Sequence, residues 1–335
     1  MIKIANNKGV GIIGIGSYLP EKVLTNLELE KMVDTSDEWI TTRTGIKERR
    51  ILEEGRAASY MAIEASKKAL KDANVDASDI DLVLVATMTP DMLTPSTACI
   101  VQDELNCNKA AAFDLSAACS GFIYGLSVAY GFIKSGVYKN ILLVATEAMS
   151  RIIDWTDRGT CVLFGDGAGA VVISEVPKGK GILQFEIGAD GSGAKHLLVP
   201  AGGSKTPINE EILKERLNYL KMDGGEVFKF AVRKIDEVSK NIIEKSGLKL
   251  ENIDCLIPHQ ANIRIIDSAI KKLKLSKEKV YANLEKYGNM SAASIPIALD
   301  EAIKENKIKD NDIILLIGFG GGLTWGASVL KWYKK

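Results

Sequence analysis

Asp114-Leu115-Ser116-Ala117-Ala118-Cys119-Ser120-Gly121-Phe122 runs from an apolar strand through a turn of small residues into a long apolar helix. A cysteine at a helix start faces unpaired backbone N–H groups and the positive end of the helix dipole, and both favour its thiolate. The chain has only two histidines. One of them, His259 in Pro258-His259-Gln260-Ala261-Asn262, ends another apolar run. Asn289, in Tyr287-Gly288-Asn289-Met290-Ser291-Ala292-Ala293-Ser294, stands where a strand-like stretch gives way to a helix. Three reactive side chains thus fall at three similar junctions.

The pattern around Cys119 occurs twice. In the first half, Asp81 to Ala86 reads as a buried strand, Pro95 to Leu105 as a helix and Ala111 to Asp114 as a strand; Cys119 opens a helix and Ile141 to Ala145 is a strand. In the second, Asp254 to Ile257 is a strand, Asn262 to Leu273 a helix and Val280 to Asn283 a strand; Asn289 opens a helix and Ile313 to Ile317 is a strand. Asp81 to Cys119 is 38 residues and Asp254 to Asn289 is 35. Such matching predicts an α/β protein of two duplicated β/α halves, 1–176 carrying the cysteine and 177–335 carrying His and Asn, with predominantly parallel strands. Open α/β sheets place ligand sites at strand ends and helix starts, where all three groups fall. The irregular segment Gly191 to Asp223 breaks the rhythm and reads as a cap over the site.

Composition narrows the class. With 335 residues and 46% hydrophobic side chains the chain can bury a large core. Lys+Arg and Asp+Glu number 43 each, so no global field attracts nucleic acid or an anionic membrane. Five cysteines, with no Cys-x-x-Cys pair, argue against a disulfide framework or a metal site and suit the cytoplasm. Cys99, Cys107, Cys161 and Cys255 read as packing residues, and His196 as structural. The Met1–Lys8 stretch lacks a signal peptide's apolar core. Two uncharged runs, Leu115 to Ile133 and Ile313 to Leu330, read as a buried central helix and as a glycine-rich strand-turn-strand, rather than as membrane spans. The glycines of Gly165-Asp166-Gly167-Ala168-Gly169 precede a strand, which favours tight packing near a dimer core over phosphate binding.

Five ordered motifs together resemble β-ketoacyl-acyl-carrier-protein synthase III, a thiolase-fold condensing enzyme. They are the Cys119 stretch, Phe164-Gly-Asp-Gly-Ala-Gly169, Pro258-His-Gln-Ala-Asn262, Gly288-Asn-Met-Ser-Ala-Ala-Ser294 and Gly318-Phe-Gly-Gly-Gly-Leu-Thr-Trp-Gly326. The resemblance runs from Gly11 to the end of the chain. It implies a layered α-β-α-β-α arrangement and a homodimer without cofactor or metal, in which a short acyl-CoA acylates Cys119 and malonyl-acyl-carrier protein then loses CO2 and attacks the thioester. A thiolate is both a good nucleophile and a good leaving group. His259 and Asn289 would be donors to the enolate oxygen, and the resemblance puts the backbone N–H groups of Cys119 and Gly321 at the tetrahedral oxyanion.

It further implies an adenine clamp of Trp39 and Arg158, a phosphate contact at Arg43 and a pantetheine contact at Asn262. A carrier-protein patch falls on Lys229, Arg264, Lys271 and Lys272, the last three on the outer face of a helix whose buried stripe is Ile263, Ile266, Ile270 and Leu273. Two departures stand out: Met290 where the family usually has Thr, and Thr94 where a Phe often closes the acyl pocket across the dimer. Three alternatives remain at this point: a thiolase-fold acyltransferase of secondary metabolism, a cysteine hydrolase using Cys, His and Asn, and a non-catalytic scaffold of the same fold.

Overall fold

The computed structural model describes residues 8–334, so most of the Met1–Lys8 reading falls outside it. Nine strands form two sheets: β1 (Gly9–Tyr18), β2 (Leu82–Ala86), β3 (Ala111–Leu115), β4 (Ile141–Ala148), β5 (Asp166–Val176), β6 (Gly181–Ala189), β7 (Cys255–Pro258), β8 (Ile313–Gly320) and β9 (Thr324–Lys331). The first sheet has the order β1-β5-β4-β2-β3 and the second β6-β9-β8-β7. Position for position these are one topology used twice. The counterpart of β3 in the second sheet is reduced to a single bridge, Leu256 to Val280, so the strand expected over Val280–Asn283 does not form.

Six helices matter for the site: α1 (Ala58–Ala73), α2 (Thr97–Glu104), α3 (Gly121–Lys134), α4 (Gly224–Lys245), α5 (Ile263–Leu273) and α6 (Ser294–Lys304). Between the sheets, α3 and α6 bury Phe122, Ile123, Leu126, Ile295, Ile297 and Leu299 completely or nearly so. A helix with no charge before its last turn, Gly121 to Ile133, has little to gain from water, and the centre buries most of its apolar side chains. Helices α1 and α2 cover the outer face of the first sheet, and α4 and α5 that of the second. Asp114 fastens β3 to α2 by accepting the N–H groups of Thr97 and Ala98 at 2.8 and 2.7 Å. The result is the thiolase fold in five layers. Among the described residues no helix is long and apolar enough to cross a membrane.

Pairing is less parallel than the sequence suggests. Strands β4, β2 and β3 are mutually parallel, as are β7 and β8, but β5, β1, β9 and β6 all pair antiparallel. Parallel neighbours need a crossover, and helices link β2 to β3, β3 to β4 and β7 to β8, whereas β5 and β9 return directly beside β4 and β8 as antiparallel partners.

The glycines of Gly165–Gly169 pack within the subunit, against the other half of the same chain. A Cβ on Gly169 would lie 2.7 Å from the ring of Pro296 in α6, and one on Gly165 would lie 2.5 Å from the Tyr287 carbonyl. Replacing Gly169 by Ala therefore forces β5 and α6 apart, and a cost of about 1–3 kcal/mol is expected as a lower denaturation midpoint. An unchanged midpoint would show that the two layers are not held at contact distance.

Candidate active site

Cys119 is 6% exposed and sits in a 3-10 turn, Ala118–Ser120, that runs directly into α3. The turn is tight enough to put Ala118 at φ +46°. Its counterpart is Ser291–Ala293 before α6, where Ser291 has φ +45°. The residue matching Cys119 is thus Ala292, 38 residues after Asp254, as Cys119 is 38 after Asp81. Asn289 lies three residues earlier, on the approach to the turn. The two turns touch: a Cβ on Gly121 would be 3.3 Å from the Ala292 Cβ.

Three further segments close on the thiol. His259 follows β7 and is held by its backbone N–H donating to Ile317 at 2.7 Å, with its ring edge-on to Phe319 at 5.5 Å. Asn289 is clamped to the 163–165 segment, its N–H donating to Leu163 at 2.8 Å and its carbonyl accepting from Gly165 at 3.1 Å. Its side-chain oxygen accepts the Ser291 N–H at 2.8 Å, which leaves the NH2 edge for the cavity it lines. At the end of β8, Gly320 approaches so closely that a Cβ there would lie 2.6 Å from the Cys119 nitrogen. The close-approach glycine beside Cys119 is therefore Gly320. Gly321, the residue expected there, is one step further out, facing Ala118 and Leu197.

Cys119 lines two cavities. One, about 140 Å³, is also lined by His259, Asn289, Phe319, Asn262 and Phe228. The other, about 300 Å³, is bounded by Met88, Met149, Phe164, Leu220, Gly321 and Thr324. The segment Gly191–Asp223 covers both, as expected of a cap, contributing Leu197, Leu220 and Met222. Thr94 reaches neither; it is exposed on the loop before α2. Met290 is fully buried and faces Gly167, away from both cavities.

Burial dominates the electrostatics. It pushes the Cys119 thiol up to about 12, with the Ser291 hydroxyl opposing and the Glu147 charge adding to the rise. The helix start therefore does not leave a free thiolate in the resting site, contrary to the sequence expectation. Burial likewise lowers His259 to about 3 and keeps its imidazole neutral, with Nδ1 unpartnered. Cys107, Cys161 and Cys255 are buried and raised to about 11, 11 and 12. Cys99 departs from the packing role: it is exposed, with Ser96 donating to its sulfur at 3.2 Å.

Asn262, which lines the 140 Å³ cavity, caps α5 with its side chain and donates to the Arg43 carbonyl at 3.2 Å. The guanidinium carbons of Arg43 and Arg158 lie 5.6 and 5.3 Å from the Trp39 ring. Arg264 stacks on Phe228 at 5.7 Å beside that cavity. Lys271 and Lys272 are exposed on α5, whose buried stripe is Ile265, Ile266, Ala269 and Leu273, with Ile263 and Ile270 only half-buried. Lys229 is exposed on α4 and paired with Glu226 at 2.7 Å.

Residues 113–191 match the family model for 3-oxoacyl-[acyl-carrier-protein] synthase III, and residues 243–332 match the model for its C-terminal part. The β-ketoacyl-[acyl-carrier-protein] synthase III of Caldanaerobacter subterraneus subsp. tengcongensis is 59% identical, over 97% of this chain and 98% of its own. The chain belongs to the β-ketoacyl-acyl-carrier-protein synthase III family. Its fold is that of the family: the Aquifex aeolicus synthase III structure superposes with a TM-score of 0.90 at 52% identity, covering 97% of this chain and all of that one. The priming β-ketosynthase of the R1128 polyketide pathway superposes at 0.91 with 36% identity, covering 99% of each chain.

Sequence reasoning missed part of this synthase III site. Met88, Met149 and Leu220, which wall the larger cavity, carry no motif. Glu147 had a signal: it is the one acidic residue in the otherwise uncharged strand Ile141–Ala148.

The cap is fastened by Asp154, 3% exposed, to which Arg216 donates from Nε at 2.7 Å and Nη2 at 2.5 Å. Those bonds from Arg216, with help from Thr156, hold the Asp154 carboxyl far below the usual carboxylate range. A lowered folded value means the stabilisation is complete above the unfolded value near 4 and fades as pH falls below it. Arg216→Met should cost about 2 kcal/mol at pH 7, with the gap to wild type unchanged at pH 5 and narrowing below about pH 4. A gap that closes between pH 7 and 5 would contradict this assignment.

Proposed function

We propose that this synthase III starts fatty-acid synthesis by joining a short acyl-CoA to malonyl-acyl-carrier protein, giving 3-oxoacyl-carrier protein, CO2 and CoA. The observation that carries the reading is the position of Cys119, shared between a cavity walled by Met88, Met149, Phe164 and Leu220 and a second cavity lined by His259 and Asn289. An acyl group on the sulfur would fill the first, and the malonyl thioester would enter through the second.

Each residue then has a role that its environment supports. Cys119 is the nucleophile and acyl carrier. A neutral His259 keeps an N–H to donate, and Asn289 has its amide turned by Ser291, so both suit the enolate oxygen formed as malonate loses CO2. For the tetrahedral oxyanion the backbone N–H groups of Cys119 and Gly321 remain the proposed donors, with Gly320 providing the close approach. The Trp39–Arg158 stack, Arg43 and Asn262 line a route suited to adenine, phosphate and pantetheine, so CoA serves as substrate and no other cofactor is invoked. Lys229, Arg264, Lys271 and Lys272 form a basic face on α4 and α5 for an acidic carrier protein. A homodimer is supported by the free outer edge of β3, which carries the exposed Phe113, and by Leu93, 88% exposed on the loop before α2. Thr94 shares that loop, which is where a residue reaching a partner's pocket would lie. The cysteines are free, in keeping with a cytoplasmic enzyme.

A cysteine hydrolase would need His259 as a base oriented by Asn289. The structure argues against both: burial lowers His259 to about 3, which makes it a weak base, and the Asn289 oxygen is bound to Ser291 rather than to the imidazole.

The half-reactions separate these readings. His259→Ala or Asn289→Ala should slow malonyl-thioester decarboxylation by about 10²–10³ while leaving Cys119 acylation measurable. Wild-type decarboxylation should hold its rate from pH 8 to pH 5, since His259 protonates only near 3. Equal loss of both half-reactions, or a decarboxylation rate that falls through pH 6–7, would point to His259 as a base.

A further inference from the structure

A wholly buried cation joins the nucleotide end of the site to Asn289. Arg49 lies in the short strand Glu48–Arg50, which pairs antiparallel with Val23–Thr25, and none of it is exposed. Its guanidinium bonds go to neutral oxygens. Nη1 donates to the Leu24 carbonyl at 3.1 Å and to the Asn26 side-chain oxygen at 2.9 Å, and Nη2 donates to the Val162 carbonyl at 2.7 Å. Among the described residues Arg49 is in no ion pair, and its Nε has no hydrogen-bond partner. A charge buried without a counter-charge is costly, and this one ties together segments far apart in sequence.

Both of its arms lead to the CoA clamp. Asn26 is 1% exposed, and its NH2 donates to the Asp37 carboxylate and to the Ile46 carbonyl, each at 2.8 Å. That amide therefore holds the first residue of helix Asp37–Thr44 and the turn that follows it, and the helix carries Trp39 and Arg43. Val162, on the other arm, ends the short helix Arg158–Cys161, whose first residue faces the Trp39 ring. The same arm reaches the enolate donor, because Leu163 and Gly165, just beyond Val162, are the residues that clamp the Asn289 backbone. The stem of Arg49 packs there as well. A Cβ on Gly165 would lie 3.0 Å from the Arg49 Cβ, and one on Gly288 would lie 3.5 Å from it.

Arg49 lines neither cavity, so it acts only through what it holds. Resting on the reading of Trp39, Arg43 and Arg158 as the CoA clamp, we propose that Arg49 is a positioning residue for both half-reactions: it sets the clamp that presents acyl-CoA to Cys119 and the Asn289 amide that meets the malonyl thioester. A guanidinium suits this task because its donors are fixed in a plane and spread over separate nitrogens, whereas an ammonium has all its donors on one. Bonds from a charged donor are also stronger than those between neutral groups.

Two quantities that do not depend on the fraction of folded enzyme test the proposal. The first is the ratio of kcat/KM for acylation of Cys119 by butyryl-CoA to that by butyryl-pantetheine, which lacks the phosphates and the nucleotide. The second is the rate of malonyl-pantetheine decarboxylation per Cys119 that can be acylated, counted by mass spectrometry. Arg49→Lys should lower each by about 10-fold, the worth of one bond to a charged group. Asn26→Ala, which cuts only the arm to helix Asp37–Thr44, should lower the ratio more than it lowers decarboxylation. A purely structural Arg49 would leave both quantities at their wild-type values whatever the loss of stability; that result, or a fall in only one of them in Arg49→Lys, would overturn the role. Should Arg49→Lys fail to fold, Asn26→Ala decides, and a wild-type ratio in that variant overturns the role. Equal kcat/KM for the two donors in the wild type would instead remove the clamp reading on which the role rests.

Discussion

The contact on which the rest of the site depends is that of Gly320 with Cys119, where the end of β8 meets the turn before α3 with no room for a Cβ. One element belongs to the first half of the chain and the other to the second. Gly121 against Ala292 and Gly169 against Pro296 repeat the same condition nearby. Small residues at these crossings let two complete α/β layers press their active turns together, and every reactive side chain projects into the space that this leaves. A duplicated fold thereby yields one site, with the nucleophile from one half and the two donors from the other.

Dryness is the second consequence. Cys119, His259, Asn289, Glu147 and Ser291 are all at most 7% exposed. With little water present, neither the thiol nor the imidazole is charged at rest, and hydrogen bonds gain weight against solvation. This suits a reaction whose charge appears only in passing: a thiolate for the moment of attack or release, and an enolate once CO2 has left. Donors already in place stabilise such charge without reorganising. The cap, fastened by Asp154 to Arg216, keeps that environment closed over both cavities.

Much of this was legible in the chain. Apolar period and spacing placed seven of the strands and helices around Cys119, His259 and Asn289 to within a few residues, because each is a long run bounded by clear turn residues. The duplication was visible too, but its register was off by three: Asn289 attracts the eye as the reactive residue, whereas Ala292 occupies the position of Cys119. Pairing direction was misjudged because β5, β6 and β9 look like any buried strand; only the connections decide whether neighbours run parallel. The protonation of Cys119 could not be read at all, since a helix start argues for thiolate and depth of burial, which is a property of the fold, argues more strongly against it. The walls of the larger cavity come from residues far apart in sequence, and periodicity says nothing about them.

A crystal structure of the protein soaked briefly with butyryl-CoA tests the central claim most directly. The account predicts a thioester on Cys119 whose chain lies among Met88, Met149, Phe164 and Leu220, with the His259 and Asn289 side chains left facing an unfilled space on the other side of the sulfur. An acyl group on a different residue, or one on Cys119 whose chain runs toward His259 and Asn289, would contradict it.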